Sequence, residues 1–273
     1  MSTLRTRFAP SPTYYLHLGH AASALHVWRW AEARGAEVLL RIEDIDTTRC
    51  RPEYTEAIYE DLQWLGFEWP EPVRVQSEHF PAYAACVDEL TARGLTYRCF
   101  RTRQDLNALP DPFRPGPHRD EDEAKFLAEG RPFAWRLSLA AARAQLGADW
   151  TSLSYQEETS AGLVERAADP YRHGDIVIAR KDSPSAYHLA ATHDDALQGM
   201  SHIIRGEDLV DAPHIHVLLQ ALMGWPQVLY RHHPLVLSEA GEKLSKRQKS
   251  ISLASLRADG MTPQQVRARL GFA

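Results

Sequence analysis

The residues best suited to phosphate chemistry fall in two short motifs. His17-Leu18-Gly19-His20 follows Ala9-Pro10-Ser11-Pro12 near the start of the chain, and Lys243-Leu244-Ser245-Lys246 lies near its far end. The first motif sits where a strand hands over to a helix, and a helix start offers free N–H groups and a positive dipole end to an anion. The imidazoles of His17 and His20 can donate to phosphate oxygens, and Gly19 lets an adenine ring lie against bare backbone. The second motif belongs to a polar stretch led by Gly241. Its ammonium groups suit a lid that closes on ATP and stabilises charge developing at the α-phosphate. Four-residue patterns arise by chance, but the two together predict one site. His17, Gly19, His20 and Lys246 would hold ATP, and His17, His20, Lys243 and Lys246 would carry the catalysis.

Between the motifs, Arg7 and Arg205 both fall at predicted strand ends. Two guanidinium forks converging on one pocket suit a carboxylate, which they bind in bidentate fashion. Glu43 offers the opposite charge to an α-amino group, and Tyr187 can wall the pocket. Together these four describe a dicarboxylic amino acid held at both ends. Asp194-Asp195 fits either a metal-binding pair or a cap for the next element. His214, His216, His232 and His233, among 13 histidines, match no ligand spacing expected of a metal site.

At 273 residues the chain has room for one large α/β domain with an insertion. A net charge of −5 argues against non-specific nucleic-acid binding, although a local basic face would not show in the sum. No segment approaches the roughly 20 apolar residues of a membrane span, and Arg5 and Arg7 are followed by nothing resembling a signal peptide. The 3 cysteines, Cys50, Cys86 and Cys99, include no close pair, so a reducing cytoplasm is expected.

The elements that must position these residues follow from periodicity and punctuation. Leu4 to Ala9 reads as a strand stopped by Pro10 and Pro12, Gly19 to Arg34 as a helix ended by Gly35, and Glu37 to Ile42 as a buried parallel strand. That strand runs into Glu43-Asp44, at the edge where open α/β sheets bind ligands. A helix opens at Pro52 and another is capped by Ser77, with a strand from Thr96 to Phe100. The order β-α-β-α-α-β predicts a doubly wound parallel sheet. Residues 109–117 and the charge run 120–123 interrupt it, so 101–172 reads as an inserted small α+β subdomain. The sheet is expected to resume at 173–237, with a strand ending near Arg205, a helix from Pro213 to Met223 and an apolar run at Pro234 to Leu237.

At this point the chain resembles the glutamyl-tRNA synthetase catalytic domain, a class I nucleotide fold. The resemblance lies in Arg7 to Thr13, His17 to His20, Arg41 to Asp46, Asp61 to Gly66, Gln76 to Glu78, Tyr187 to Ala190, Arg205 to Leu209 and Lys243 to Lys246. After the Lys-x-Ser-Lys loop a short helical stub within 238–273 is expected, with no anticodon-binding domain, and residues 1–100 are expected to form the first half of the catalytic domain. That shortened form, with Arg49 to Pro52 and Asp194 to Gly199, is similar to the glutamyl-Q tRNA(Asp) synthetase family. The resemblance implies a cytoplasmic ligase, acting as a monomer with no membrane partner. It would activate L-glutamate with ATP and magnesium and attach it to queuosine in tRNA(Asp). It places Arg7, Phe8, Ala9, Pro10, Ser11, Glu43, Tyr187 and Arg205 on glutamate.

Two departures from the family pattern stand out. Tyr14 occupies a position usually held by glycine, where a positive φ would cost about 1–3 kcal/mol. Of a zinc site found in many relatives, only Cys99 remains, with His118 at most, and no zinc is expected because a structural site needs four ligands. Two alternatives stay open: a glutamate ligase that uses a carrier protein or small amine as acceptor, and a non-catalytic paralogue that binds glutamate or tRNA.

Overall fold

The computed structural model describes residues 3–109, 115–236 and 251–272. The chain begins with strand β1 (Arg5–Phe8), helix α1 (Leu18–Glu32) and strand β2 (Glu37–Ile42), and then α2 (Pro52–Trp64), β3 (Arg74–Val75), α3 (Phe80–Ala92) and β4 (Thr96–Cys99). It continues through α4 (Arg103–Asn107), α5 (Asp120–Ala128), β5 (Ala134–Leu137), α6 (Leu139–Leu146), β6 (Ser154–Thr159), β7 (Gly162–Ala167) and β8 (Val177–Ala179). Last come α7 (Tyr187–Leu197), β9 (His202–Gly206), α8 (Pro213–Met223), β10 (Leu229–His233), α9 (Leu253–Ala258) and α10 (Pro263–Arg269).

The parallel sheet is built in two parts. β3, β2 and β1 pair in that order, all parallel. β9, β10 and β6 form a second parallel run, with β7 antiparallel at its edge. The parts meet at β1 and β9, where Ser201 N–H donates to the Arg5 carbonyl at 2.9 Å and Arg5 N–H donates to the Ser201 hydroxyl at 2.8 Å. Strand order therefore reverses at that seam, the place where a doubly wound sheet opens a crevice for ligands. None of the described helices is long and apolar enough to cross a membrane.

Several expectations need correction. The run at Ile176 to Ala179 does not rejoin the parallel sheet, because β8 pairs antiparallel with β5, and β5 with β4, in a separate three-stranded sheet. The stretch 101–172 supplies strands to two sheets: β5 to this one, and β6–β7 to the edge of the parallel sheet. Ser77 caps no helix. It lies in a 3-10 turn before α3 and binds the Asp44 carboxylate through its N–H at 2.8 Å and hydroxyl at 2.6 Å. Among the described residues the last strand is β10, which ends just before the apolar run that begins at Pro234.

Burial explains why these elements hold. Leu40, Ile42, Ile58, Leu62 and Leu65 are at most 1% exposed and pack β2 against α2, each contributing about 1.5–3 kcal/mol by leaving water. A second apolar cluster joins α3, α7 and α8 to β9 and β10. Leu40→Ala would open a cavity beneath the site strands, at a cost of roughly 2–5 kcal/mol.

Candidate active site

The seam opens into a cavity of about 420 Å³. Arg7, Phe8, Ala9, Pro10 and Ser11 line it from the end of β1, and His17, Gly19 and His20 from the start of α1. Glu43 joins them from the end of β2, Tyr187 from the first position of α7 and Arg205 from β9. Every sequence-predicted site residue among the described ones therefore meets at one place. Lys243 and Lys246 lie outside the described residues. Val236 lines the cavity, and away from it Ser252 bridges His17 and Leu253 N–H donates to the Leu16 carbonyl.

The two histidines cap their own helix. Gly19 N–H donates to His17 Nδ1 at 3.1 Å, and His17 N–H donates to His20 Nδ1 at 3.1 Å. This is a reciprocal capping box with imidazoles in place of the usual hydroxyl and carboxylate. A nitrogen that accepts carries no proton, so each neutral ring holds its proton on Nε2 and presents a donor there. Donation to a phosphate thus falls to Nε2, and the Gly19 N–H is already engaged.

The charged residues form a graded set. Arg41, at 0% exposure, donates through Nη2 to Asp195 Oδ1 at 2.8 Å and to Glu43 Oε1 at 3.2 Å. Arg7 donates through Nε to the same Asp195 oxygen at 3.0 Å. Burial pushes the Glu43 carboxyl above its ordinary pKa, with Arg41 and Arg7 opposing the rise. An ammonium seated beside Glu43 would add to the pull of Arg41 and Arg7 toward the ionised form. Burial likewise raises the Tyr187 phenol, against the pull of Arg205.

Arg205 is the cation left open. It is 4% exposed, yet its Nη1 and Nη2 atoms have no hydrogen-bond partner among the described residues. Its guanidinium lies over the Tyr230 ring at 5.1 Å, and its Nε donates to His232 Nε2 at 3.3 Å. A buried guanidinium with both terminal nitrogens unpaired is costly unless an anion completes it. A Cβ at Gly206, next in sequence, would come within 2.5 Å of Asp208 Oδ1 and 2.9 Å of Leu235 Cδ2, so both side chains would have to shift to admit it.

Sequence reasoning gave no role at the site to Arg41, Asp195 or His232. A signal existed for the first: an arginine inside the buried run Glu37–Ile42 demands a carboxylate partner. Asp194, left open with Asp195 between metal pair and cap, is an internal acceptor for Gln76 at 3.0 Å and Tyr83 at 2.8 Å, and pairs with Arg74 at 2.8 Å. Cys99 is buried, and His118 accepts from Phe100 N–H at 3.4 Å. Among the described residues no group of three or more His, Cys, Asp or Glu is placed to hold a metal. Tyr14 is 45% exposed and packs against Tyr15 and Tyr54, with ring centroids at 5.8 and 5.7 Å.

The family model for class I tRNA synthetases (E and Q), catalytic domain, matches residues 3–272. The chain belongs to that family. The synthetase is 39% identical to the glutamyl-Q tRNA(Asp) synthetase of Rhodobacter capsulatus, over 98% of this chain and 99% of that protein. It is 36% identical to the glutamate–tRNA ligase of Aquifex aeolicus, over 97% of its own length but 56% of the relative's. Among solved structures, it superposes on a glutamate tRNA ligase from Elizabethkingia meningosepticum in complex with its amino acid. The TM-score is 0.70 and identity 28%, over 90% of this chain and 52% of that one. The synthetase is thus a ligase of the aminoacyl-tRNA synthetase class with a nucleotide-binding catalytic fold.

Proposed function

We propose that this synthetase activates L-glutamate with ATP and transfers it to the queuosine base of tRNA(Asp). The observation that carries the amino-acid choice is the unpaired, buried fork of Arg205 on the same cavity as Arg7 and Glu43. Arg205 and Arg7 take the side-chain carboxylate, Glu43 takes the α-amino group, and Phe8, Ala9, Pro10, Ser11 and Tyr187 shape the walls. The α-carboxylate then attacks the α-phosphorus of ATP. A new P–O bond forms as the bond to pyrophosphate breaks. The attacking carboxylate is already ionised, so positioning and charge stabilisation carry the step. His17 and His20 donate from Nε2, and Lys243 and Lys246 supply positive charge. In the second step a hydroxyl of queuosine attacks the acyl carbon and AMP leaves.

Magnesium enters with the triphosphate, whose own oxygens hold it; no described residue cluster is assigned to it. The acceptor choice is supported by the end-to-end likeness to the R. capsulatus protein of that name. We take the synthetase to act in the cytoplasm as a monomer. The deciding experiment charges tRNA(Asp) with and without queuosine, after glutamate-dependent pyrophosphate exchange has been measured. Glutamylation of the modified tRNA alone is expected. Equal charging of both tRNAs, or of neither while exchange proceeds, would replace the acceptor but keep the glutamate site. Absence of exchange would remove the enzymatic reading.

A further inference from the structure

One row of side chains crosses the parallel sheet behind the cavity. His232 on β10 is the register partner of Arg205 on β9, and Tyr230, two residues back on the same face, is the partner of Glu157 on β6. The bonds run along this row: Arg205 Nε to His232 Nε2 at 3.3 Å, His232 Nδ1 to Glu157 Oε1 at 2.8 Å, and Arg166 Nε, on β7, to Glu157 Oε2 at 2.9 Å. The rings of Tyr230 and His232 are parallel within 1°, so the guanidinium meets an aromatic face on one side and an imidazole edge on another.

The proton positions follow from chemistry. An arginine Nε–H only donates, so His232 Nε2 must accept. An ionised carboxylate only accepts, so His232 Nδ1 must carry the proton. Burial opposes ionisation of Glu157, but His232 and Arg166 outweigh it and hold the carboxyl below its ordinary range. Burial keeps His232 below the usual histidine value, which favours the neutral ring this arrangement needs.

We infer that His232, fixed in one tautomer by Glu157, is the positioning residue that engages Arg205 at Nε and so turns its two Nη groups to the substrate carboxylate. This inference rests on the proposed glutamate site. Without the acceptor on His232, all three guanidinium nitrogens would compete for the ligand, and the fork would lose its fixed orientation. The hairpin β6–β7 thereby takes part in amino-acid selection although it does not line the cavity.

The experiment measures glutamate-dependent pyrophosphate exchange for the wild type, His232→Phe, His232→Gln, Glu157→Leu and the double variant Glu157→Leu/His232→Phe. His232→Phe keeps the ring but removes the acceptor. Its KM for glutamate should rise roughly ten- to a hundredfold, the size of a lost hydrogen bond to a charged group. Its KM for ATP and its kcat should stay within about threefold. Glutamine, which brings no second carboxylate, should be affected less. His232→Gln offers an amide oxygen to Arg205 and an N–H to Glu157, and should recover most of the loss. Glu157→Leu should raise the glutamate KM, and the double variant should be no worse than His232→Phe, since both act through one bond. Equal impairment of the Phe and Gln variants, an unchanged glutamate KM in His232→Phe, or additive losses in the double variant would each overturn the inference while leaving the glutamate site standing. A wild type with no glutamate-dependent exchange would overturn both.

Discussion

Arg7 and Asp195 are joined through Nε and Oδ1 at 3.0 Å, across 188 positions of sequence. The same oxygen accepts from Arg41 at 2.8 Å. One buried carboxylate thus fastens β1 to α7 and holds Arg7, which lines the cavity, beside the fully buried Arg41. Asp195→Ala should therefore destabilise the fold by about 3–5 kcal/mol, because it takes a buried carboxylate partner from both Arg7 and Arg41 and leaves Arg41 with Glu43 and the Gln198 amide oxygen. Asp195→Asn keeps an oxygen and should lose less. Urea unfolding of the two variants checks this, and an alanine variant as stable as wild type would contradict it.

Arg205→Ala should weaken glutamate activation by roughly 2–5 kcal/mol, the range for truncating one partner of a buried charged pair. Glutamine should lose far less. The quantity to measure is the glutamate-to-glutamine ratio in pyrophosphate exchange. An unchanged ratio would take Arg205 out of the specificity pocket.

Lys246→Ala should slow adenylate formation while glutamate affinity stays near wild type, since the proposed role of that charge is to act on the reacting phosphate. Rapid-quench measurement of adenylate against equilibrium glutamate binding separates the two effects. Adenylate formation at the wild-type rate would end the assignment.

Asp61 gives a prediction in pH. Burial pushes its carboxyl up to about 6, with Arg257, 3.5 Å away, opposing. Its folded pKa exceeds the unfolded value, so its contribution to stability is fully present below about pH 4 and is lost as pH rises through about 6. Asp61→Asn should be more stable than wild type at pH 7, by about 1–3 kcal/mol, and the gap should close toward pH 4. Paired urea titrations at the two pH values test this. A gap that widens on acidification would reverse the sign.

The purified synthetase should hold no stoichiometric zinc, and a chelator should leave its melting temperature unchanged. Elemental analysis finding about one zinc per chain would mean that Cys99, His118 and residues outside the described set assemble a site.

Much of the cavity was legible because its residues sit where short-range patterns end. Glu43 closes an apolar strand, Arg205 lies near the end of another, and His17 precedes a helix. α8 was legible to the residue, since Pro213 opens it and Gly224, at φ +66°, ends it. What escaped depends on pairing between distant strands. The acceptor on Arg205 is His232 only because β9 and β10 align in that register. Glu157 reaches His232 only because β6 lies beside β10. Nothing within either segment announces its neighbour. Ser77 was misread for a related reason: its partner is the Asp44 carboxylate, 33 positions earlier, rather than its own backbone.

Because the proposed glutamate site spans the seam between β1 and β9, the amino acid would be a structural member as well as a substrate. Arg7 and Glu43 stand on one half of the sheet and Arg205 on the other, so a bound glutamate would add a tie to those the Arg5–Ser201 and Arg7–Asp195 bonds already make between the halves. Its binding energy then adds directly to their cohesion, by about 2.7 kcal/mol when it is present at a hundred times its dissociation constant. Amide protons along β1 and β9 should exchange with solvent more slowly as glutamate fills the crevice. Those of the separate β4–β5–β8 sheet should change only as far as the whole molecule is stabilised.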